Sequence, residues 1–297
     1  MVISELYSKA RKMLADGDIE DSVFDASCIM EDALRMTKAE LVMRGSDIVT
    51  EETAERVISQ CKKRLTGYPL QYILGEWEFY GCGIKVGEGV LIPRADTETL
   101  VDCVLEHMKR KNITAPRIAD LCSGSGCIAI ALKKNIPDAD ISAVELSGKA
   151  IEYLVENARA NGTDLRYIRG DVMNGGLFSH FMKDNEPQLL DCIVSNPPYL
   201  TASEMEGLQR EVSFEPSEAL DGGHDGLKFY RVIACLWREL LKDGGLMAFE
   251  IGEQQAADVT AIMEKSGFCD IRAIKDLSGN DRVVCGIRSA QTRERRS

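Results

Sequence analysis

Asn196-Pro197-Pro198-Tyr199 puts a carboxamide, a stiffened backbone and an aromatic ring into four residues. The preceding run, Leu189-Leu190-Asp191-Cys192-Ile193-Val194-Ser195, reads as a buried strand. Neither proline has an N–H for a ladder, so the pair ends that strand. Pro198 also restricts Pro197 to extended geometry, which fixes the direction of the Pro197 carbonyl. Open α/β sheets bind ligands at this end of their strands. There, a carboxamide oxygen and a backbone carbonyl accept both N–H bonds of a planar –NH2 group. The motif suits an amide or exocyclic amine held while its nitrogen attacks a second molecule. The plainer reading of the same residues is a turn that ends a strand.

A second constellation lies upstream. Ile118-Ala119-Asp120-Leu121 reads as a short strand that runs into Cys122-Ser123-Gly124-Ser125-Gly126 and then a helical pattern from Cys127 to Leu132. Glycines let a backbone approach a ligand closely, and a helix N-terminus offers free N–H groups. The next strand, Ile141 to Val144, ends in Glu145, a carboxylate placed to accept hydrogen bonds from two ribose hydroxyls. Gly124-x-Gly126-x-x-Ala129 also fits a dinucleotide fingerprint, so the turn by itself suits NAD as well as S-adenosylmethionine. Asp120 favours the latter, because an acid before the turn suits the ammonium of a methionine moiety and gains nothing from a pyrophosphate. Asn196 to Tyr199 after the fourth strand likewise favours methyl transfer over hydride transfer.

Composition limits the partners. A chain of 297 residues holds a large domain and a smaller one. No apolar stretch approaches the ~20 residues of a membrane span, and the start, Met1 to Leu6, lacks the features of a signal peptide. Ten scattered cysteines without a Cys-x-x-Cys pair read as reduced thiols, so a cytoplasmic protein is expected. With three histidines in all, no structural metal is expected. The net charge of −12 and the shortness of the basic clusters argue against direct nucleic-acid binding.

The elements that must position these residues fall into two parts. Residues 1–66 carry helical periodicity: Leu6, Ala10, Met13 and Leu14 share one face, as do Val23, Ala26, Ile29, Met30 and Leu34. A short helix is expected over Lys38 to Arg44, and another from Thr50, an N-cap. Residues 67–95 read as a β-hairpin linker, with alternation from Gln71 to Ile92. Strands and helices then alternate over residues 96–288, after a helix from Asp96 to about Lys109, and imply a mostly parallel sheet. The final strand, Arg282 to Ile287, follows Ile271 to Ile274 too soon for a helical crossover, so it should be antiparallel. Residues 289–297 read as a flexible tail. The expected fold class is α/β, a Rossmann-like sheet with a small N-terminal helical domain.

Several motifs together carry a family resemblance. Pro69-Leu70-Gln71-Tyr72-Ile73-Leu74-Gly75, Glu78-Phe79-Tyr80-Gly81 and Leu91-Ile92-Pro93-Arg94-Ala95-Asp96-Thr97-Glu98 precede the cofactor turn. Glu215-Pro216, Gly223-x-Asp225-Gly226, Glu250-Ile251-Gly252 and Asp281-Arg282-Val283 follow the amide motif. With these, the chain resembles, nearly end to end, the bacterial protein-(glutamine-N5) methyltransferases that modify class I peptide chain release factors. Asn-Pro-Pro-Tyr alone is shared with adenine-N6 DNA methyltransferases, whereas Gln-Tyr-Ile-Leu-Gly with Ile-Pro-Arg is far more specific.

The resemblance implies a class I methyltransferase sheet, S-adenosylmethionine as donor and S-adenosylhomocysteine as product. Asn196 and the Pro197 carbonyl would accept from the substrate amide, with Pro198 stiffening the clamp, Tyr199 on one face and Phe79 on the other. Cys122, Ser123, Gly124, Ser125 and Gly126 would line the methionine portion, with Asp120 near its ammonium and Asn196 close by. Glu145 would meet the ribose, Asp171 the adenine amine and Val172 the adenine ring. Phe79 reads equally as a core aromatic, and Asp171 also reads as a turn residue. Arg94 and Glu98 are expected to brace the linker or the pocket. Two residues depart from the family pattern: Cys122 stands where Gly is usual, which a thiol tolerates at negative φ, and Glu145 stands where Asp is common. The rivals are glutamine methylation of a ribosomal protein, adenine methylation of DNA, and a binding module that keeps the fold without catalysis.

Overall fold

The computed structural model describes residues 1–184 and 186–289, and its contacts divide into two units. The first comprises residues 1–76 with residues 209–214. Apolar spacing of three and four makes α1 (Ile3–Asp16), which buries Ile3, Leu6, Ala10 and Leu14 and leaves Met13 only half-buried. The buried face of α2 (Ser22–Leu34) centres on Asp25, Ala26, Ile29 and Met30. Val23, expected inside, falls at the margin of that face and is exposed. The short α3 (Lys38–Met43) starts in a capping box, with the Glu40 N–H donating to Thr37 and the Thr37 N–H donating to Glu40. Thr50 caps α4 (Glu51–Leu65) by accepting from the Thr53 N–H. A further helix, α5 (Leu70–Leu74), occupies residues read from sequence as strand-like, and stops at Gly75.

Arg64 of α4 is almost wholly buried and donates to Asp25 of α2 at 2.6 Å and to Glu211 at 2.5 Å. The 209–214 segment therefore enters this unit through an ion pair as well as through an edge-to-face contact between Phe214 and Tyr68.

The second unit comprises residues 77–208 and 215–297 by the same division. It opens in a hairpin shorter than the sequence suggests: β1 (Glu76–Phe79) and β2 (Cys82–Lys85) pair across Tyr80 and Gly81. Their φ values of 51° and 74° are those of a two-residue hairpin turn, whose twist matches that of the strands. A 3-10 turn at Ala95–Thr97 then leads into α6 (Glu98–Lys111). The chain next alternates through β3 (Arg117–Leu121), α7 (Cys127–Asn135), β4 (Asp140–Glu145), α8 (Gly148–Ala160) and β5 (Arg166–Arg169). Two-residue strands β6 (Met182–Lys183) and β7 (Glu186–Pro187) pair with each other before β8 (Leu190–Ser195). After it come α9 (Ala202–Glu206), α10 (Lys228–Leu236), β9 (Leu241–Glu250), α11 (Ala256–Lys265), β10 (Phe268–Lys275) and β11 (Asp281–Arg288).

The seven-stranded sheet has the order β10-β11-β9-β8-β3-β4-β5. β8, β3, β4 and β5 run parallel with β9, and β11 is antiparallel to both its neighbours, as the short β10–β11 connection requires. Register sets the carboxyl ends level: Leu121 of β3 lies opposite Ser195 of β8 and Val144 of β4, and Glu145 lies opposite Arg169 of β5. Beneath them, Trp237, Tyr230 and Phe249 fill the core, and the Trp237 indole donates to the Val172 carbonyl at 2.8 Å.

Among the described residues no helix is long and apolar enough to cross a membrane, no cluster is placed to hold a metal ion, and all ten cysteines are free thiols. The tail expected over 289–297 lies, from residue 290, outside the described residues.

The Arg64 pair yields a stability test. Removing one partner of a buried pair strands the other charge, whereas replacing both by apolar groups is far milder. Asp25→Ala should lower the free energy of unfolding by about 3 kcal/mol. The double change to Asp25→Ala with Arg64→Met should recover more than half of it in urea titrations. A single-variant loss below about 1 kcal/mol would show the buried charge to be satisfied by Glu211 alone.

Candidate active site

The level strand ends frame a cavity of about 310 Å³ within the second unit. Cys122, Ser123, Gly124 and Ser125 form one wall, Glu145 another, and Asp171 and Val172 a third, with Asn196 and Pro198 facing them. The sequence-expected cofactor turn and amide motif thus share one chamber. A carboxylate at the end of β4 holds the turn in shape: Glu145 accepts from the Gly124 N–H and from the Ser147 N–H, each at 2.8 Å. Burial raises the Glu145 pKa, and those backbone donors oppose the rise. A side chain added at Gly124 would point into open space, so the backbone there is bare toward the cavity. Gly126 ends the turn as the residue before α7 and does not reach the cavity.

Asp120 departs from the expected direct contact. It is fully buried behind the wall, and Ser123, which does line the cavity, donates its hydroxyl to Asp120 at 2.5 Å. The other oxygen, Oδ1, is buried with no hydrogen-bond partner. Burial pushes the carboxyl up to about 7, against the Ser123 bond and the Ala129 N–H. Ser123 thus stands between Asp120 and the cavity.

Cys122 also departs from expectation. The reading that a thiol fits there assumed negative φ, yet its φ is +59°. A side chain in the left-handed region costs roughly 1–2 kcal/mol, which is why Gly is the easier residue at such a site. Burial, followed by the charge of Glu145, raises the thiol pKa far above its ordinary value, so Cys122 stays protonated.

Asp171 is exposed and accepts from the Met173 N–H at 2.9 Å through one oxygen, so the turn role and a place on the cavity wall coexist. Asn196 is half-buried, and its Nδ2 lies 3.5 Å from the Thr97 hydroxyl oxygen. No donor among the described residues hydrogen-bonds the Pro197 carbonyl. Tyr199 packs on the hydrophobic core instead of lining the cavity, and its carbonyl accepts from Gln255 at 3.0 Å. Phe79 is not brought to the site: as the last residue of β1 it turns inward, is 1% exposed and sits apart from the cavity wall. Its reading as a core aromatic is the one its burial supports.

Further links hold the site together, two of them, through Asn157 and Gln255, from residues that motif reading did not single out. Asn157 of α8 is completely buried; it donates to the Ser125 carbonyl at 3.0 Å and exchanges hydrogen bonds with the Lys85 backbone, joining the cofactor turn to β2. Gln255 joins Tyr199 to the Gly252 N–H. Glu215 accepts from the Ile92 N–H at 3.0 Å and from Arg94, and Glu98 accepts from the Tyr80 N–H at 2.8 Å. Arg94 and Glu98 therefore brace the cavity rim and the hairpin, as expected. For the first of these links the sequence signal is a polar residue, Asn157, on the inward face of the amphipathic α8 beside Ala150, Leu154 and Ala158.

A seven-stranded sheet with an antiparallel last strand, a bare turn after β3 and an acid closing β4 defines a class I methyltransferase. Comparison with known proteins agrees. Residues 5–75 match the model of the PrmC N-terminal domain, and residues 95–219 match the methyltransferase small domain. The release factor glutamine methyltransferase of Thermodesulfovibrio yellowstonii is 42% identical over 265 residues, covering 89% of this chain and 91% of that protein. The protein of the same description from Fusobacterium nucleatum is 38% identical, covering 94% of this chain and 77% of its own length. A methyltransferase from Pyrococcus furiosus superposes with a TM-score of 0.50 at 17% identity, over 71% of this chain and 91% of that one, a likeness of fold. The chain belongs to the release factor glutamine methyltransferase family.

It is an S-adenosylmethionine-dependent enzyme, and the cavity fits that donor: Gly124 leaves space, Glu145 offers a carboxylate, and Asp120 Oδ1 is an orphaned buried acceptor.

The buried acid sets up a trade between stability and affinity. Between the ordinary carboxylate range and about pH 7, folded Asp120 holds a proton that the unfolded chain releases, so folding is progressively disfavoured as pH rises through that window. Asp120→Asn should therefore raise the melting temperature of the ligand-free protein at pH 8 by roughly 2 °C or more. The same change should weaken S-adenosylmethionine binding about tenfold, the scale of one charge-assisted contact. Unaltered affinity by calorimetry would place the ammonium elsewhere.

Proposed function

We propose that this enzyme transfers a methyl group to the side-chain amide nitrogen of the glutamine in the Gly-Gly-Gln motif of class I peptide chain release factors, supporting translation termination. The observation that carries this reading is that Asn196 and Pro198 face the cofactor turn across one cavity whose described walls hold no histidine. Relatives described as release factor glutamine methyltransferases span most of the chain and direct the choice of partner.

An amide nitrogen is a weak nucleophile, since its lone pair is delocalised. As it forms its bond to carbon, positive charge grows on that nitrogen. The Asn196 carboxamide oxygen and the Pro197 carbonyl, aimed at the two N–H groups, stabilise the charge as it develops, the inverse of an oxyanion hole. No strong base is required beforehand, because the methylated amide loses its proton to water afterwards. S-adenosylmethionine supplies the electrophilic methyl on a sulfonium and leaves as S-adenosylhomocysteine. Glu145 holds the ribose and Asp171 the adenine amine. Cys122, kept as a thiol by its surroundings, does not compete for the methyl group.

The two acceptors recognise any –NH2, so selection of one glutamine needs a further surface. Residues 1–66 serve as the recognition domain, 67–95 as the linker and 96–288 as the catalytic domain in this reading. Val42, Met43 and Ile48 are 78%, 83% and 85% exposed, an apolar patch on the helical unit suited to a protein partner.

Three measurements test the proposal. Asn196→Ala should retain cofactor binding while the single-turnover rate falls roughly 100- to 1,000-fold; a fall of less than about threefold would remove Asn196 from the clamp. Labelled methyl transfer should appear on purified release factor and be absent from ribosomal protein and DNA assayed in parallel. Met43→Asp should lower kcat/KM for whole release factor by about tenfold with the cofactor affinity unaltered, the size of one lost apolar anchor. Equal kcat/KM would move the recognition surface away from this patch.

A further inference from the structure

A clamp keeps its aim only if the chain is held on both sides of it. We propose that Gln255 is a positioning residue for methyl transfer: its carboxamide fixes the backbone just beyond Asn196-Pro197-Pro198 and so keeps the Pro197 carbonyl pointed at the substrate nitrogen. This rests on the reading of Asn196 and Pro197 as acceptors for the substrate amide.

The sheet holds the upstream end, since Ser195 lies in register with Leu121 of β3 and Phe249 of β9. Pro197 and Pro198 then have no N–H with which to hold themselves. The next anchors come at Tyr199 and Leu200. Gln255 Nε2 donates to the Tyr199 carbonyl at 3.0 Å and reaches the Gly226 carbonyl at 3.4 Å. The Leu200 N–H donates to the Leu220 carbonyl at 2.9 Å, and the Leu200 carbonyl accepts from the Gly222 N–H at 2.8 Å, a one-residue parallel bridge.

Neighbours decide which way the Gln255 carboxamide points. The Gly252 N–H can only donate, and it meets Oε1 at 3.0 Å. The carbonyls of Tyr199 and Gly226 can only accept, so the NH2 end faces them. A second donor lies on the oxygen side: the Tyr230 hydroxyl is 3.3 Å from Oε1 and 2.9 Å from the Glu250 carbonyl. Gln255 is itself fixed at the start of α11. Its N–H donates to the Gly252 carbonyl at 2.9 Å, and its carbonyl accepts from the Val259 N–H at 3.0 Å.

Two glycines let the arrangement close. A Cβ at Gly222 would lie 2.7 Å from the Tyr199 Cα. One at Gly226, where φ is +70°, would strike the Tyr199 carbonyl oxygen and come within 2.6 Å of Gln255 Nε2. Only a backbone without side chains lets the 222–226 loop lie against the main chain of Tyr199.

Gln255 does not line the cavity, so its effect on the reaction passes through the backbone it holds. The rings of Pro197 and Pro198 lock φ at both positions. A shift at Tyr199 is therefore carried back to the Pro197 carbonyl instead of being absorbed between them. The cofactor turn after β3 is held by Glu145, on a different element, so cofactor binding is independent of Gln255.

The experiment is single-turnover methyl transfer to whole release factor at saturating S-adenosylmethionine, with cofactor affinity measured by calorimetry on the same variants. Gln255→Met is close in shape and makes neither bond. Gln255→Glu, at about pH 8 and so above the ordinary carboxylate range, keeps an acceptor for the Gly252 N–H and loses the donor to Tyr199. Both should lower the rate about 10- to 100-fold, the scale of a misplacement of about 1 Å. Cofactor affinity should change by less than about twofold in each. A wild-type rate in either variant overturns the inference. So does a loss of cofactor affinity as large as the loss of rate, which marks a merely structural role. Should Gln255→Met prove insoluble, Gln255→Glu decides by the same two readings. Asn196→Ala separates the inference from the reading beneath it: if it leaves the rate intact, the clamp fails, and if it slows the reaction while Gln255→Met does not, only the positioning role fails.

Discussion

One buried hydrogen bond joins the two halves of the site. The Ser195 hydroxyl donates to the Leu121 carbonyl at 2.7 Å, fixing the last residue of β8 to the last residue of β3. The parallel register places these residues side by side, so the amide motif and the cofactor turn leave the sheet at the same level. A slip of one residue would turn every side chain of β8 to the other face of the sheet. Glu145 and Gln255 each hold groups whose height is already set by this register.

The architecture was largely legible because its signals are local. A polar turn after an apolar run, two prolines closing another, and a connection too short for a helix each limit the chain to few conformations. These gave β3, β8 and the antiparallel β11. The errors came where tertiary context decides. Gln71 to Leu74 read as the start of an alternating hairpin linker, yet they belong to a helix that Gly75 terminates. Val23 has the right spacing for the α2 core but lies at its edge, because a buried Asp25 paired with Arg64 shifts the inward face.

The site was legible in its residue types more than in its geometry. Motif spacing located nine of the expected groups on the cavity wall. It could not tell that Asp120 lies behind the wall, hydrogen-bonded to Ser123, or that Cys122 holds a positive φ, since both depend on how the turn closes against β4. Burial pushes two carboxyls of the second unit, Asp120 and Glu250, up to about 7. A core that hosts both accepts a loss of stability.

The path of the chain carries a consequence for modularity. It leaves the helical unit after residue 76, returns for residues 209–214 and leaves again, which makes three crossings. The returning segment follows the amide motif in sequence and is anchored by Glu211 on the buried Arg64. The helical unit is therefore not an N-terminal appendage that recombination can exchange by a single cut. Its last structural piece is encoded inside the segment of the second unit, so the two must diverge together: a new helical unit arriving without a matching 209–214 segment would leave its buried arginine with Asp25 alone and no counterpart to Glu211.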